Sequence, residues 1–269
     1  MLFRLSYLKQ MLAALVLASG LCAPAQAEHI RLGADVWYPF NGEPDSPRPG
    51  YMIELASAVW KQAGHTVDYQ VLPWERAIDE ARAGSLDCIV GTTLDEAPDF
   101  LFPDQPLGMD ESYIFVLKDN DWQYTGIGSL SEIRIGVVGG YSYDDGEFDE
   151  YVASQTGAPT VQVMKGNNAL DQNLQKLLSR RIDALVESPM VMHARLQQLS
   201  PRPEVRVAGR IGSVTPLYIA CSPSNPMAAT YVRQLNDGIV RMRMSGELAN
   251  LLDLYNLRDW QMSQPLFSE

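Results

Sequence analysis

The sequence predicts an α/β fold made of two similar units, and three observations carry that prediction. Short runs rich in Val, Ile and Leu alternate with longer amphipathic runs. The order strand, helix, strand, helix, strand occurs once before residue 117 and again after residue 133. Between the two lies the polar stretch "NDWQYTGIGSLSE", in which Gly126 and Gly128 interrupt the pattern. Such alternation gives a mainly parallel sheet with helices packed on it.

Taken in order, "IRLGADVWY" predicts a strand from Ile30 to Val36, followed by a Pro-Phe loop. In "GYMIELASAVWKQAG", Ile53, Leu55, Ala56, Val59 and Trp60 share one helical face, and Gly64 stops the helix. "TVDYQVL" alternates as a strand does. "PWERAIDEARAG" begins with Pro73 and ends with Gly84, the Pro-first, Gly-last mark of a helix. "SLDCIVG" and "SYIFVLK" predict two more strands. The second unit runs through the strand "IRIGVVGG", the helix "SYDDGEFDEYVASQTG", the strand "TVQVM", the helix "ALDQNLQKLLSRR" and the strand "IDALVES". A strand "PLYIACS", a long helix "PMAATYVRQLNDGIVRMRMSG" and a short helix "ELANLLDLY" follow.

The N-terminus predicts a secretory signal peptide. Arg4 and Lys9 precede a short apolar run, and Ala25-Gln26-Ala27 has the small-residue form of a cleavage site, so the expected mature chain starts at Glu28. Cys22 raises lipidation, but Leu21 before it is large where lipoprotein processing takes a small residue. The whole chain carries a net charge of −12; without Arg4 and Lys9 the remainder carries −14. That charge argues against nucleic acid and anionic lipid as partners. It is compatible with a cationic ligand, although solubility alone is the favoured explanation of the charge. Cys88 and Cys221 are too few for a disulfide scaffold. His29, His65 and His193 are scattered, without metal-binding spacing, and no metal or cofactor is expected. The run "DDGEFDEY" lacks the calcium-loop spacing and reads as acids in the first turn of a helix.

Six segments in order carry a resemblance: "YPFNG…GYMIELA", "LPWERAIDEARAGSLDCIVG", "FPDQPL", "IRIGVVGG", "LLSRRIDALVES" and "LNDGIVRMRMSGELANLLDLY". The chain resembles the bacterial extracellular solute-binding proteins of family 3, receptors of polar amino-acid ABC transporters, over nearly its whole mature length. The resemblance implies a two-lobed periplasmic binding protein fold of type II, with a ligand closed between the lobes. It assigns residues 1–27 to the signal peptide, 28–117 plus 215–269 to the first lobe and 118–214 to the second. The crossings would fall near Leu117–Trp122 and Ser213–Pro216. It also makes the strands of Cys88 and Cys221 neighbours; a disulfide and two buried thiols both fit, and two thiols are the favoured expectation.

The resemblance further implies three ligand-holding devices. A carboxylate at the end of "IDALVES" pairs with the ligand's ammonium, and Glu187 holds that place. An arginine in a T-x-x-R segment pairs with the ligand's carboxylate. Here Thr93 matches the threonine, but Glu96 stands where the arginine would. A Glu offers acceptors only, so it cannot pair with a free carboxylate at neutral pH. No arginine occurs from residue 83 to 133; Arg76, Arg82 and Arg134 are the remaining substitutes. The third device is aromatic: Trp37, Tyr38, Phe40, Trp74 and Tyr141 are candidates to face the ligand, and aromatic faces with carboxylates suit an organic cation. Gly91 and Gly140 would let backbone approach, and Ser142 would cap the following helix.

These residues predict a non-enzymatic, monomeric binding protein for a small amine-bearing or cationic solute. It would serve an inner-membrane ABC permease, or alternatively a membrane signalling receptor. A lyase-type enzyme on the same fold is the further alternative, with Glu96 and Glu187 as an acid–base pair.

Overall fold

The computed structural model describes residues 27–155 and 157–261, so all but the last residue of the expected signal peptide, 1–27, lies outside the described residues. The first unit runs β1 (His29–Ala34), α1 (Tyr51–Gln62), β2 (Thr66–Val71), α2 (Trp74–Arg82) and β3 (Cys88–Thr92). β1 is the hydrophobic centre strand, parallel to β2 on one side and β3 on the other. Helix α1 forms because its apolar positions recur on one face, burying Met52, Leu55, Ala56, Val59 and Trp60. It ends at Gly64, whose φ of 89° an L side chain rarely adopts.

The second unit runs β4 (Gly108–Leu117), β5 (Ile135–Val138), α3 (Glu147–Ser154), β6 (Val161–Met164), α4 (Ala169–Leu178), β7 (Ala184–Glu187) and α5 (Pro189–Gln197). β5 is parallel to β6 and β7, while β4 is antiparallel to β7. The long strand β8 (Val205–Cys221) pairs with β4 as far as Leu217 and with β3 from Tyr218 onward. It therefore belongs to both sheets, and the strand order is β2-β1-β3-β8-β4-β7-β5-β6. The long helix α6 (Ala228–Ser245) and α7 (Glu247–Asp253) then return to the first lobe. Gly238 of α6 lets that helix press on α1: a Cβ there would sit 2.5 Å from Val59 Cγ1.

Each lobe buries its own apolar clusters. Leu32, Trp60, Ile219 and Leu235 lie in one cluster of the first lobe; Ile114, Val116, Ile135 and Phe148 lie in one of the second. This is the two-lobed α/β architecture that the alternating pattern predicts. Three differences from the sequence reading are found. The polar stretch holds a 3-10 helix, Ile127–Glu132. Helix α5 and the N-terminal half of β8 were not expected. β4 starts at Gly108 rather than Ser112, and residues 113–116 already pair with β7 in the second sheet, ahead of the break expected after Leu117.

Cys88 and Cys221 form a disulfide, which corrects the expectation of two thiols. The physical reason is register: the two residues are direct partners across the antiparallel β3–β8 pair, with both side chains wholly buried. Adjacent strands alone did not fix that facing; the register does.

Candidate functional site

The ends of β1, β3, β5 and β7 meet where the lobes face each other, together with the N-terminus of α2 and the switch region of β4 and β8. They line a partly open cavity of about 40 Å³, room for about three water molecules. Eight residues singled out in the sequence line it: Trp37, Trp74, Gly91, Thr93, Glu96, Tyr141, Ser142 and Glu187. Three do not. Phe40 is wholly buried and stacks behind Trp37, with ring centroids 4.3 Å apart. Tyr38 turns the other way, toward Tyr255 at 5.8 Å. Gly140 serves a contact outside the cavity: its φ is 83°, and a Cβ there would meet Glu75 Cγ at 2.6 Å.

Asp35 and Asp110 are the site residues that sequence reasoning missed. Asp35 follows β1 directly, two residues before Trp37. Asp110 lies in the first residues of β4, which read as loop. Both line the cavity with Glu96 and Glu187, so four carboxylic acids converge on it. Among the lining residues there is no Lys, Arg or His. The three arginines named as substitutes are paired elsewhere: Arg76 with Glu80, Arg82 with Asp99 and Arg134 with Asp183.

Most of these acids are held by hydrogen bonds that cross the cleft. Trp37 Nε1 donates to Glu187 Oε1 at 2.8 Å, and the Ser188 N–H donates to the same oxygen at 2.8 Å. Tyr141 OH donates to Asp35 Oδ2. Ser188 Oγ donates to Asp110 Oδ1 at 2.5 Å. Glu96 spans both lobes. Its Oε2 accepts from the Thr93 N–H at 3.1 Å and Thr92 Oγ1 at 3.2 Å, while Oε1 accepts from the Ser142 N–H at 3.1 Å. At the rim, Lys165 Nζ bridges to Glu75 at 2.7 Å.

Withdrawal from water disfavours the charged form of each acid. Burial pushes Glu187 up to about 8, against the donors Trp37 and Ser188, with Asp110 and Asp35 adding to the rise. Burial likewise pushes Glu96 and Asp110 up to about 7 and Asp35 up to about 6. Burial and the nearby acids hold the Tyr141 phenol well above its ordinary value, so it acts as a donor. A cation entering the cavity would reverse this balance, because opposite charge favours the ionised acids.

The acidic run after β5 caps backbone. Asp149 accepts from the N–H groups of Tyr143, Asp144 and Asp145, and Asp144 from those of Gly146, Phe148 and Asp149. Ser142 Oγ also donates to Asp149. This network fixes the Tyr141–Tyr143 turn that brings Ser142 N–H to the cleft. No group of acids, histidines and cysteines suited to a metal ion occurs among the described residues.

A family model, bacterial extracellular solute-binding proteins, family 3, matches residues 30–258. No curated protein matches the chain. Solved structures share the fold at low identity. An ancestral arginine-binding protein bound to glutamine is 22% identical, with 84% of this chain and 97% of that chain covered and a TM-score of 0.69. A histidine kinase sensor domain similar to periplasmic binding proteins is 17% identical, covering 86% and 98%, with a TM-score of 0.70. The substrate-binding protein of an amino acid ABC transporter is 19% identical, covering 84% and 98%, with a TM-score of 0.66.

Proposed function

The chain belongs to the bacterial extracellular solute-binding proteins, family 3, and from that premise we propose that it captures a small amine-bearing or cationic solute in the periplasm. The observation that carries this reading is the convergence of Asp35, Glu96, Asp110 and Glu187 on one cavity lined by no basic side chain. Buried acids without a counter-ion hold protons in place of one, and a cation of matching size is the group that can take their place. Glu187 is the principal partner of the ammonium. The indole of Trp37 and the phenol of Tyr141 line the same cavity and offer aromatic surface to a cation. A free carboxylate has no cationic side chain to meet it there.

The two-lobed division, expected with the first lobe at 28–117 plus 215–269 and the second at 118–214, belongs to the same proposal, with the first break drawn ahead of Tyr113 because residues 113–116 pair with β7. So do the signal peptide at 1–27, the monomeric state and delivery to an ABC permease. Hinge opening would admit the solute, since three hydrogen bonds cross the cavity.

Thermal denaturation of the purified chain against monoamines, diamines, guanidines, quaternary ammonium compounds and the standard amino acids tests the reading. Amines lacking a carboxylate should raise Tm in a saturable way. Strong stabilisation by acidic or neutral amino acids, with none by amines, would overturn it.

A further inference from the structure

Glu96 holds two sets of donors that belong to different lobes. On its own side it forms a reciprocal turn: its Oε2 accepts from the Thr93 N–H while its N–H donates to Thr93 Oγ1 at 3.4 Å. The sequence T-L-D-E has the T-x-x-E spacing of such a box. A local turn of this kind uses one carboxylate oxygen. The other oxygen leaves the turn and accepts from the Ser142 N–H at 3.1 Å, 46 residues away across the cleft. Two backbone N–H groups and the Thr92 hydroxyl thus point at one carboxylate from two sides. Such an arrangement binds a carboxylate without any basic side chain, as backbone donors at anion sites do.

We propose that Glu96 is a built-in carboxylate that fills the cleft's own acid-binding donors, and that it thereby sets the specificity of the site against solutes with a free carboxylate. The inference deepens the reading of this cleft as the solute site and names what the site excludes. Glu96 satisfies Thr93 N–H and Ser142 N–H, so an incoming acid finds its donors occupied. The same contact draws the lobes together in the place where a bound acid would. Removing the side chain leaves the donors pointing into an empty space about the size of formate or acetate.

The test is chemical rescue. Glu96→Ala is titrated with sodium formate and sodium acetate, with sodium chloride at equal ionic strength as the control and thermal denaturation as the readout. Formate should raise the Tm of Glu96→Ala saturably, by about 3 °C or more near 100 mM, and leave the wild type at its chloride value. Glu96→Gln, which fills the space, should not respond. Glycine and L-alanine should bind Glu96→Ala about tenfold more tightly than the wild type in calorimetry. A merely local turn would lose stability on substitution but show no carboxylate-specific recovery.

The inference is overturned if formate acts no differently from chloride on Glu96→Ala, or if it stabilises wild type and variant alike. Should Glu96→Ala not fold, the amide exchange of Ser142 in Glu96→Met, which fills the space without an acceptor oxygen, decides. Faster exchange than in the wild type supports the cross-cleft contact, and unchanged exchange overturns it. These outcomes are separable from those of the amine panel, which reads the wild type alone.

Discussion

Trp37 Nε1 donates to Glu187 Oε1 at 2.8 Å, joining residues 150 apart in the chain and lying in different lobes. The indole also stacks on Phe40 and meets Tyr141 edge-on, so packing fixes its orientation. Trp37→Phe keeps most of the apolar contact and removes the donor. Glu187 Oε1 keeps the Ser188 N–H, so the loss should be about 1–2 kcal/mol. For a chain of this size that is a Tm fall of about 2–8 °C in the ligand-free protein. An unchanged Tm would show that the bond does not hold the lobes in solution.

Glu187→Gln separates binding from folding. The amide oxygen can still accept from Trp37 and Ser188, and a group that burial penalises when charged is gone. Stability should therefore equal or exceed that of the wild type. Affinity for an amine should fall about 30-fold or more, because losing the charged partner of a buried pair costs about 2–5 kcal/mol. Calorimetry with the best amine from the panel measures it. Undiminished affinity would remove Glu187 from its assigned role.

Most of the scaffold and half of the cleft were legible in the sequence because strand ends and helix starts carry strong local signals. Trp74 after Pro73, Thr93 and Glu96 after β3, and Glu187 at the end of β7 all sit at such punctuation. Asp110 was not legible. Its segment "GMDES" is too polar to read as strand, yet it pairs with β8 where β8 changes sheets. Gly209 and Gly212 diluted the first half of β8 in the same way. Phe40 and Tyr38 failed for another reason. They share a tight turn with Trp37, closed by the Trp37–Asn41 bridge, and turn geometry, not composition, decides which ring faces the cleft. The cysteine pair needed a register that alternation cannot supply.

The disulfide between Cys88 and Cys221 closes a loop spanning a separation of 133 residues, which contains the second lobe. Cross-linking so long a loop restricts the unfolded chain, an effect of about 3–5 kcal/mol in the chain-entropy model. Thiol titration of a chain of residues 28–269 in denaturant should find none free. After reduction in denaturant and refolding, or in the double variant Cys88→Ala with Cys221→Ala, Tm should drop by about 6 °C or more. Because both residues are wholly buried, reductant added to the native protein should act only as fast as the chain opens. Rapid reduction under native conditions would contradict the burial.

The four acids of the cleft make stability and binding run in opposite directions with pH. Their ordinary values are 3.8 for Asp and 4.5 for Glu; in the folded chain they rise to about 6 for Asp35, about 7 for Glu96 and Asp110, and about 8 for Glu187. Between about pH 4 and 8 the folded chain then holds more protons than the unfolded chain at these groups, so their contribution is complete below about 4 and is lost as pH rises. Elsewhere the hydrogen bond from Arg134 holds Asp183 below the usual range, and that from Arg31, against burial, does the same for Asp87. Those two contribute stability above about pH 4 that is lost in acid. The ligand-free protein should therefore melt highest near pH 5–6 and lower at pH 8. An amine needs the acids ionised, so its affinity should climb from pH 5.5 to 8, by up to about tenfold per pH unit for each proton displaced. Calorimetry in two buffers of different ionisation enthalpy counts those protons directly. Affinity that is flat across this range, with no proton released, would mean that the solute does not meet the acids as a cation.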